Sequence, residues 1–121
     1  MSIRFRGVAE KGKGIGKTLG FPTINLAYTG DENGVFVGEI FVDKKWRLAA
    51  VHIGNRLSLD EEFSCEVFVI DWSGEVLPGQ EVEVRLFDKI REVKKFPNLE
   101  ELKKQISKDV EFAKNWYNSR A

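Results

Sequence analysis

The sequence predicts an α+β protein, mainly β: a small closed antiparallel barrel of about six strands with a C-terminal amphipathic helix packed on it. Three observations lead there. Short runs of alternating or β-branched apolar residues recur from Ile3 to Phe87, and glycine, proline and asparagine punctuate them. The apolar period changes from two to between three and four only in the last thirty residues. The chain is 121 residues long without internal repeats or a linker-like tract, so residues 1–121 read as one domain.

Ile3, Phe5, Val8 and Ala9, interleaved with Arg4 and Arg6, make the first strand. Gly12 to Lys17 must be loop, because three glycines in six residues are too many for a helix. Pro22 biases Phe21 toward extended backbone, so 21–26 reads as a strand. Gly30 to Gly34 is a turn, and Val35–Val42 with Trp46–Ile53 forms a hairpin across Asp43-Lys44-Lys45. The polar stretch 54–62 is a long loop. Cys65–Asp71 and Glu81–Phe87 are rich in β-formers, with Ser73-Gly74 and Pro78-Gly79 turning the chain between them. From Pro97 on, Leu99, Leu102, Ile106, Val110, Ala113 and Tyr117 mark one helical face, with Asn98 as N-cap and Glu101 completing a capping box.

Composition excludes several classes of function. The only cysteine, Cys65, forms no intrachain disulfide or cysteine-rich zinc site, and it suits a reducing cytoplasm. No apolar run is long enough to span a bilayer, so neither export nor a membrane partner is expected. Nineteen basic and nineteen acidic side chains give zero formal charge, which argues against a nucleic-acid partner for the whole chain. The charges are segregated, however. Residues 1–17 hold five basic and one acidic side chain, 18–90 hold six and thirteen, and 91–121 hold eight and five. This pattern is either ordinary surface charge or an anion site beside the N-terminal glycines.

Gly12-Lys13-Gly14-Ile15-Gly16-Lys17-Thr18 has the wrong glycine spacing for a Walker A loop, and Pro22 interrupts the helix that should follow. Its glycines still let backbone N–H groups approach a phosphate, with Lys13 and Lys17 adding positive charge. Thr23 and Asn25, two apart on an extended segment, share a face, and their neutral oxygens suit a magnesium ion that also takes waters and phosphate oxygens. The same two residues beside a turn also suit local backbone hydrogen bonding. Glu66 shares a strand face with Ser64, Phe68 and Ile70. If that face is the inward one, the carboxylate is placed to accept a proton; if Cys65, Val67 and Val69 point inward, Glu66 is an exposed strand residue. His52, the only histidine, excludes histidine-cluster metal sites, and it reads as structural.

Taken in order along the chain, these stretches resemble the riboflavin kinase family, the flavokinase module that stands alone in eukaryotes and forms the C-terminal half of bifunctional bacterial FAD synthetases. Gly16-Lys17-Thr18-Leu19-Gly20-Phe21-Pro22-Thr23-Ile24-Asn25 is similar to the family's Gly-Arg-x-Leu-Gly-Phe-Pro-Thr-x-Asn signature. Gly34-Val35-Phe36, Ile53-Gly54, Glu66 to Asp71, and Ile90 to Phe96 with Leu99, Leu102, Gln105, Ile106 and Asp109 match further segments in sequence order. Lys17 stands where the family has arginine, 54–59 departs from Gly-x-x-Pro-Thr, and Trp72-Ser73-Gly74 lacks the usual Tyr-Gly.

The resemblance implies transfer of the ATP γ-phosphate to the riboflavin 5′-hydroxyl, with Mg2+ as cofactor and riboflavin and ATP as the only partners of a monomer. Thr23 and Asn25 would hold magnesium and nucleotide phosphates. Gly14, Gly16 and Lys17 would belong to the phosphate loop. Glu66 would be the general base, Arg91 and Phe96 would lie on the flavin side, and 54–63 would act as a flap. The alternatives are a flavin- or nucleotide-binding module without turnover, and an OB-like nucleic-acid module with a continuous basic groove.

Overall fold

The computed structural model describes residues 3–11, 20, 23–55 and 63–120. Among the described residues six strands, β1 (Ile3–Glu10), β2 (Thr23–Leu26), β3 (Gly34–Val42), β4 (Lys45–Asn55), β5 (Phe63–Val69) and β6 (Glu81–Arg91), precede a C-terminal helix, α1 (Leu99–Asn118). The strands close into a barrel in the order β1-β2-β5-β4-β3-β6, every neighbouring pair antiparallel. The expected closed barrel and terminal helix are therefore both present. Among the described residues no helix is long and apolar enough to cross a membrane.

Local sequence accounts for most of the elements and for the differences at their ends. The β3–β4 hairpin turns on two residues, not three: Val42 pairs with Lys45, and Asp43 and Lys44 take φ of 49° and 66°. Positive φ at both central residues matches the right-handed twist of the flanking strands, and a polar Asp-Lys pair adopts it. β6 runs four residues past Phe87, because Asp88 and Lys89 pair with Val37 and Phe36 across two register shifts. Gly38 lies at one of these shifts, and a Cβ there would stand 2.2 Å from the Arg85 carbonyl oxygen. Only glycine lets β3 and β6 approach so closely.

Period-two alternation fills the barrel. Phe36, Ile40, Val51, Ile53, Cys65, Val67, Val84 and Leu86 are the most deeply buried of its lining, with Ile24 and Leu26 from β2. Trp72 and Val76, from the chain between β5 and β6, pack against this core. Burial, and after it the negative charge of Glu66, pushes the Cys65 thiol up to about 12.

The helix packs on the barrel as expected, and it does so on the outer wall. Leu102 and Ile106 pack with Phe68, Phe96 and Val110, and Ala113 packs with Val37, Ile70 and Trp116. The face that is buried drifts from the one the spacing predicts. Leu99 and Tyr117 are exposed, while Asp109 is buried and Trp116 stacks on Phe87 at 5.2 Å. A straight helix against a curved barrel touches it best at its middle, and Trp116 reaches the wall where Tyr117 cannot. Asn98 caps the helix, its side-chain oxygen accepting from the Glu101 N–H at 2.9 Å.

One buried ion pair fastens helix to barrel. Arg91, at the end of β6, donates from Nε and Nη2 to the two carboxylate oxygens of Asp109 at 2.9 and 2.8 Å, and Gln105 donates to the same carboxylate at 3.0 Å. Removing one partner strands a buried charge. Asp109→Ala is therefore expected to destabilise the fold by about 3–5 kcal/mol, and Asp109→Asn by less, as read from denaturant unfolding. Cys65 should resist a thiol reagent at pH 8 in the native protein and react once the chain is unfolded. Because its folded pKa lies above its unfolded one, its contribution to stability is complete below about pH 9 and declines above it. Cys65→Ala should accordingly lose less stability than wild type between pH 9 and pH 11.

Candidate functional site

The closed barrel gives every strand an inner and an outer face, and the candidate residues fall on the outer one. On β2, Ile24 and Leu26 are buried in the barrel, so Thr23 and Asn25 point outward together, as their spacing predicts. On β5, Cys65 and Val67 line the interior at 2% and 0% exposure, which sends Ser64, Glu66 and Phe68 outward. Glu66 is nonetheless not an exposed strand residue. It is half-buried, because the outer wall here is itself crowded by neighbouring strands and the helix.

Register then sets these residues side by side. Thr23 pairs with Phe68, and Asn25 pairs with Glu66. On the other flank of β5, Glu66 pairs with His52 and Phe68 with Ala50. His52 pairs in turn with Val35, and Val35 with Arg91. One row thus runs across the outer wall from Asn25 through Glu66, His52 and Val35 to Arg91. Directly paired residues have Cβ atoms roughly 4.5–5.5 Å apart, within reach of side-chain contact. Ser64, two residues before Glu66, donates from its hydroxyl to Glu66 Oε2 at 3.1 Å.

Cavities lie beside this row, one reaching it at Asn25 and another at the neighbouring Phe68. One of about 630 Å³ is lined by Thr23, Asn25, Glu10, Lys11, Trp72 and Ser73 among others. A second, of about 410 Å³, lies between Phe68, Asp71 and the helix residues Val110 and Lys114. They share Val69, Trp72 and Ser73, so the segment after β5 forms the wall between them. That wall is held in place: the Trp72 indole N–H donates to Asp43 Oδ2 at 2.7 Å, and the Gly79 N–H donates to the Ala9 carbonyl at 2.8 Å.

Of the remaining candidates, Gly14, Gly16 and Lys17 lie outside the described residues, as does most of the expected flap. Arg91 is near Phe96, its guanidinium carbon 5.8 Å from the ring centre, but its donors go to Asp109 and to the Glu92 carbonyl. Phe96 joins Phe68, Leu102 and Ile106 in an apolar cluster that begins at the residue paired with Thr23. Gly54, opposite Ser64, lets the chain after β6 pass close: a Cβ there would meet Val93 at 2.8 Å, and φ is +153°.

The charge segregation has a partly structural explanation. Arg4 and Arg6 pair across β1–β6 with Glu83 and Glu81 at 3.1 and 3.4 Å, so two of the five N-terminal basic charges are matched by the acidic middle. Lys11 faces the larger cavity. Among the described residues no group of three acidic, histidine or cysteine side chains could hold a metal by itself. Thr23 and Asn25 offer neutral oxygens of the kind that suit a cation taking its other ligands from a substrate.

Sequence reasoning missed Ser64 and Asp109 as working parts of the wall, and it gave His52 no neighbour. For Ser64 and His52 only the inward face and the strand pairing name the neighbour; Asp109 lies three residues after Ile106 on the helical stripe, and only the fold brings Arg91 to it.

The model of the family described as riboflavin kinase, or flavokinase, matches residues 1–117. The RNA-binding riboflavin kinase RibR of Bacillus subtilis is 35% identical over 108 residues, covering 86% of this chain and 46% of its own length. The bifunctional riboflavin kinase/FMN adenylyltransferase of Haemophilus influenzae is 36% identical over 127 residues, covering 96% of this chain and 39% of its own length. The chain therefore spans less than half the length of these relatives. Among solved structures, riboflavin kinase from Trypanosoma brucei superposes with a TM-score of 0.67 at 22% identity, covering 97% of this chain and 80% of that one, a likeness of fold.

Proposed function

The chain belongs to the riboflavin kinase family, and from that premise we propose that it transfers the γ-phosphoryl group of ATP to the 5′-hydroxyl of riboflavin, giving FMN and ADP. The observation that carries this reading is the pairing of Asn25 with Glu66 beside the larger cavity. It sets a pair of neutral oxygen ligands next to a half-buried carboxylate on one continuous face.

The chemistry asks little else of the protein. Phosphoryl transfer passes through a loose transition state that needs in-line positioning and neutralisation of charge. ATP enters the larger cavity with its phosphates toward Thr23 and Asn25. Lys11 adds positive charge at the cavity wall, and Gly14, Gly16 and Lys17 contribute close backbone N–H groups and a further cation. Thr23 Oγ1 and Asn25 Oδ1 would hold Mg2+ as neutral hard ligands, and the ion would supply charge neutralisation to the transferring phosphoryl group. Riboflavin lies along the outer wall with its ring toward Phe96 and the apolar cluster of the helix. Glu66 accepts the 5′-hydroxyl proton as that oxygen attacks the γ-phosphorus, and the bond from the γ-phosphorus to the β-bridging oxygen breaks to release ADP. Arg91 serves the flavin side indirectly, by holding the helix through Asp109.

Incubation of the protein with riboflavin, ATP and Mg2+, followed by chromatography, should yield FMN; flavin binding without any product would instead identify a module that binds but does not turn over. Glu66→Gln should fold and bind riboflavin yet lose about 10²- to 10⁴-fold in kcat; turnover at the wild-type rate in that variant rejects Glu66 as the base. Asn25→Ala should raise the Mg2+ and ATP concentrations needed for half-maximal rate, and a magnesium dependence identical to wild type counts against the assignment of Asn25.

A further inference from the structure

We propose that Ser64 is a positioning residue for this reaction: its hydroxyl ties Glu66 Oε2 along β5 and so helps fix the rotation of the carboxylate that meets the substrate hydroxyl. The inference rests on the reading of Glu66 as the base. An ionised carboxylate only accepts hydrogen bonds, so in the 3.1 Å contact the Ser64 hydroxyl donates and Glu66 Oε2 accepts. The terminal torsion of a glutamate is broad, with no staggered minimum to hold it. A base whose oxygen must meet an attacking hydroxyl in line needs that torsion held, and a donor on the same strand, two residues away, can hold it without crossing the substrate's path.

The surroundings favour Ser64 for this task. Cys65 and Val67 are locked inside the barrel at 2% and 0% exposure, so the backbone cannot turn either Ser64 or Glu66 inward. Across β4 the residue opposite Ser64 is Gly54, which offers no side chain to compete for the hydroxyl. His52, buried at 6% exposure and paired with Glu66, walls the carboxylate on that flank, and Asn25 stands on the other.

The test compares Ser64→Thr with Ser64→Val, which have the same shape and differ in the hydroxyl, in the steady-state kinetics of FMN formation. Ser64→Thr should keep most of the wild-type kcat, whereas Ser64→Val and Ser64→Ala should lose about 10- to 100-fold, all with unchanged KM for riboflavin and for ATP. Circular dichroism and thermal melting check that each variant is folded. Equal kcat in the Thr and Val variants overturns the inference, and so does a raised KM for riboflavin at unchanged kcat, which would mark a binding contact. Adding Ser64→Ala to Glu66→Gln should cost no further rate, because the two act as one unit; a further loss overturns the proposal. If Glu66→Gln alone turns over like wild type, the base assignment itself fails. If Glu66→Gln is inactive while Ser64→Ala is unimpaired, only the positioning role fails.

Discussion

Parity on β5 is the constraint from which the rest of the site follows. Once Cys65 and Val67 are committed to the barrel interior, Ser64, Glu66 and Phe68 have no choice of face. A register slip of one residue would place two apolar side chains on the outer wall and a carboxylate in a core lined by Phe36, Ile40 and Leu86. Burying that carboxylate unpaired is so unfavourable that the hydrophobic pattern of one seven-residue strand specifies where the chemistry can stand. β2 and β4 flank β5, and so Asn25 and His52 arrive on either side of Glu66 as a consequence of strand order.

The outer wall becomes a site, and not merely a surface, because the helix covers part of it. Two cores share the strands: one inside the barrel, and one outside, made by Phe68, Val37 and Ile70 with the inner face of α1. The ion pair of Arg91 and Asp109 sets where along the wall the helix rests, and Trp116 on Phe87 anchors its far end. Between the helix, β5 and the Trp72 segment the wall keeps room for the smaller cavity, and the larger one opens beside Thr23 and Asn25.

Several particulars were legible in the residues themselves. Thr23 and Asn25 share a face because any extended chain alternates, and Asn98 caps the helix because its side chain satisfies an N–H the helix leaves open. The strand count and the hairpin at Asp43-Lys44 follow from short-range preferences in the same way. Other features were not legible. Periodicity could not say which face of β5 was inward, since Ser64, Phe68 and Ile70 flank Glu66 with as much apolar character as Cys65 and Val67 do on the other face. Asp109 interrupts an apolar helical stripe, and only its bidentate partner from the end of β6 explains it.

By itself the sequence determined the barrel and helix, the neutral oxygen pair and the family to which the chain belongs, because these depend on neighbours a few residues apart or on ordered motifs. Tertiary structure alone decided that the helix lies on the wall, that Arg91 serves Asp109, and that Ser64, Asn25 and His52 surround Glu66. Most of those relations join residues distant in the chain, and even Ser64, two residues from Glu66, needed the inward face of β5 to be settled. They arise from strand order and register, which are set by how the whole chain buries its apolar faces and not by any local preference.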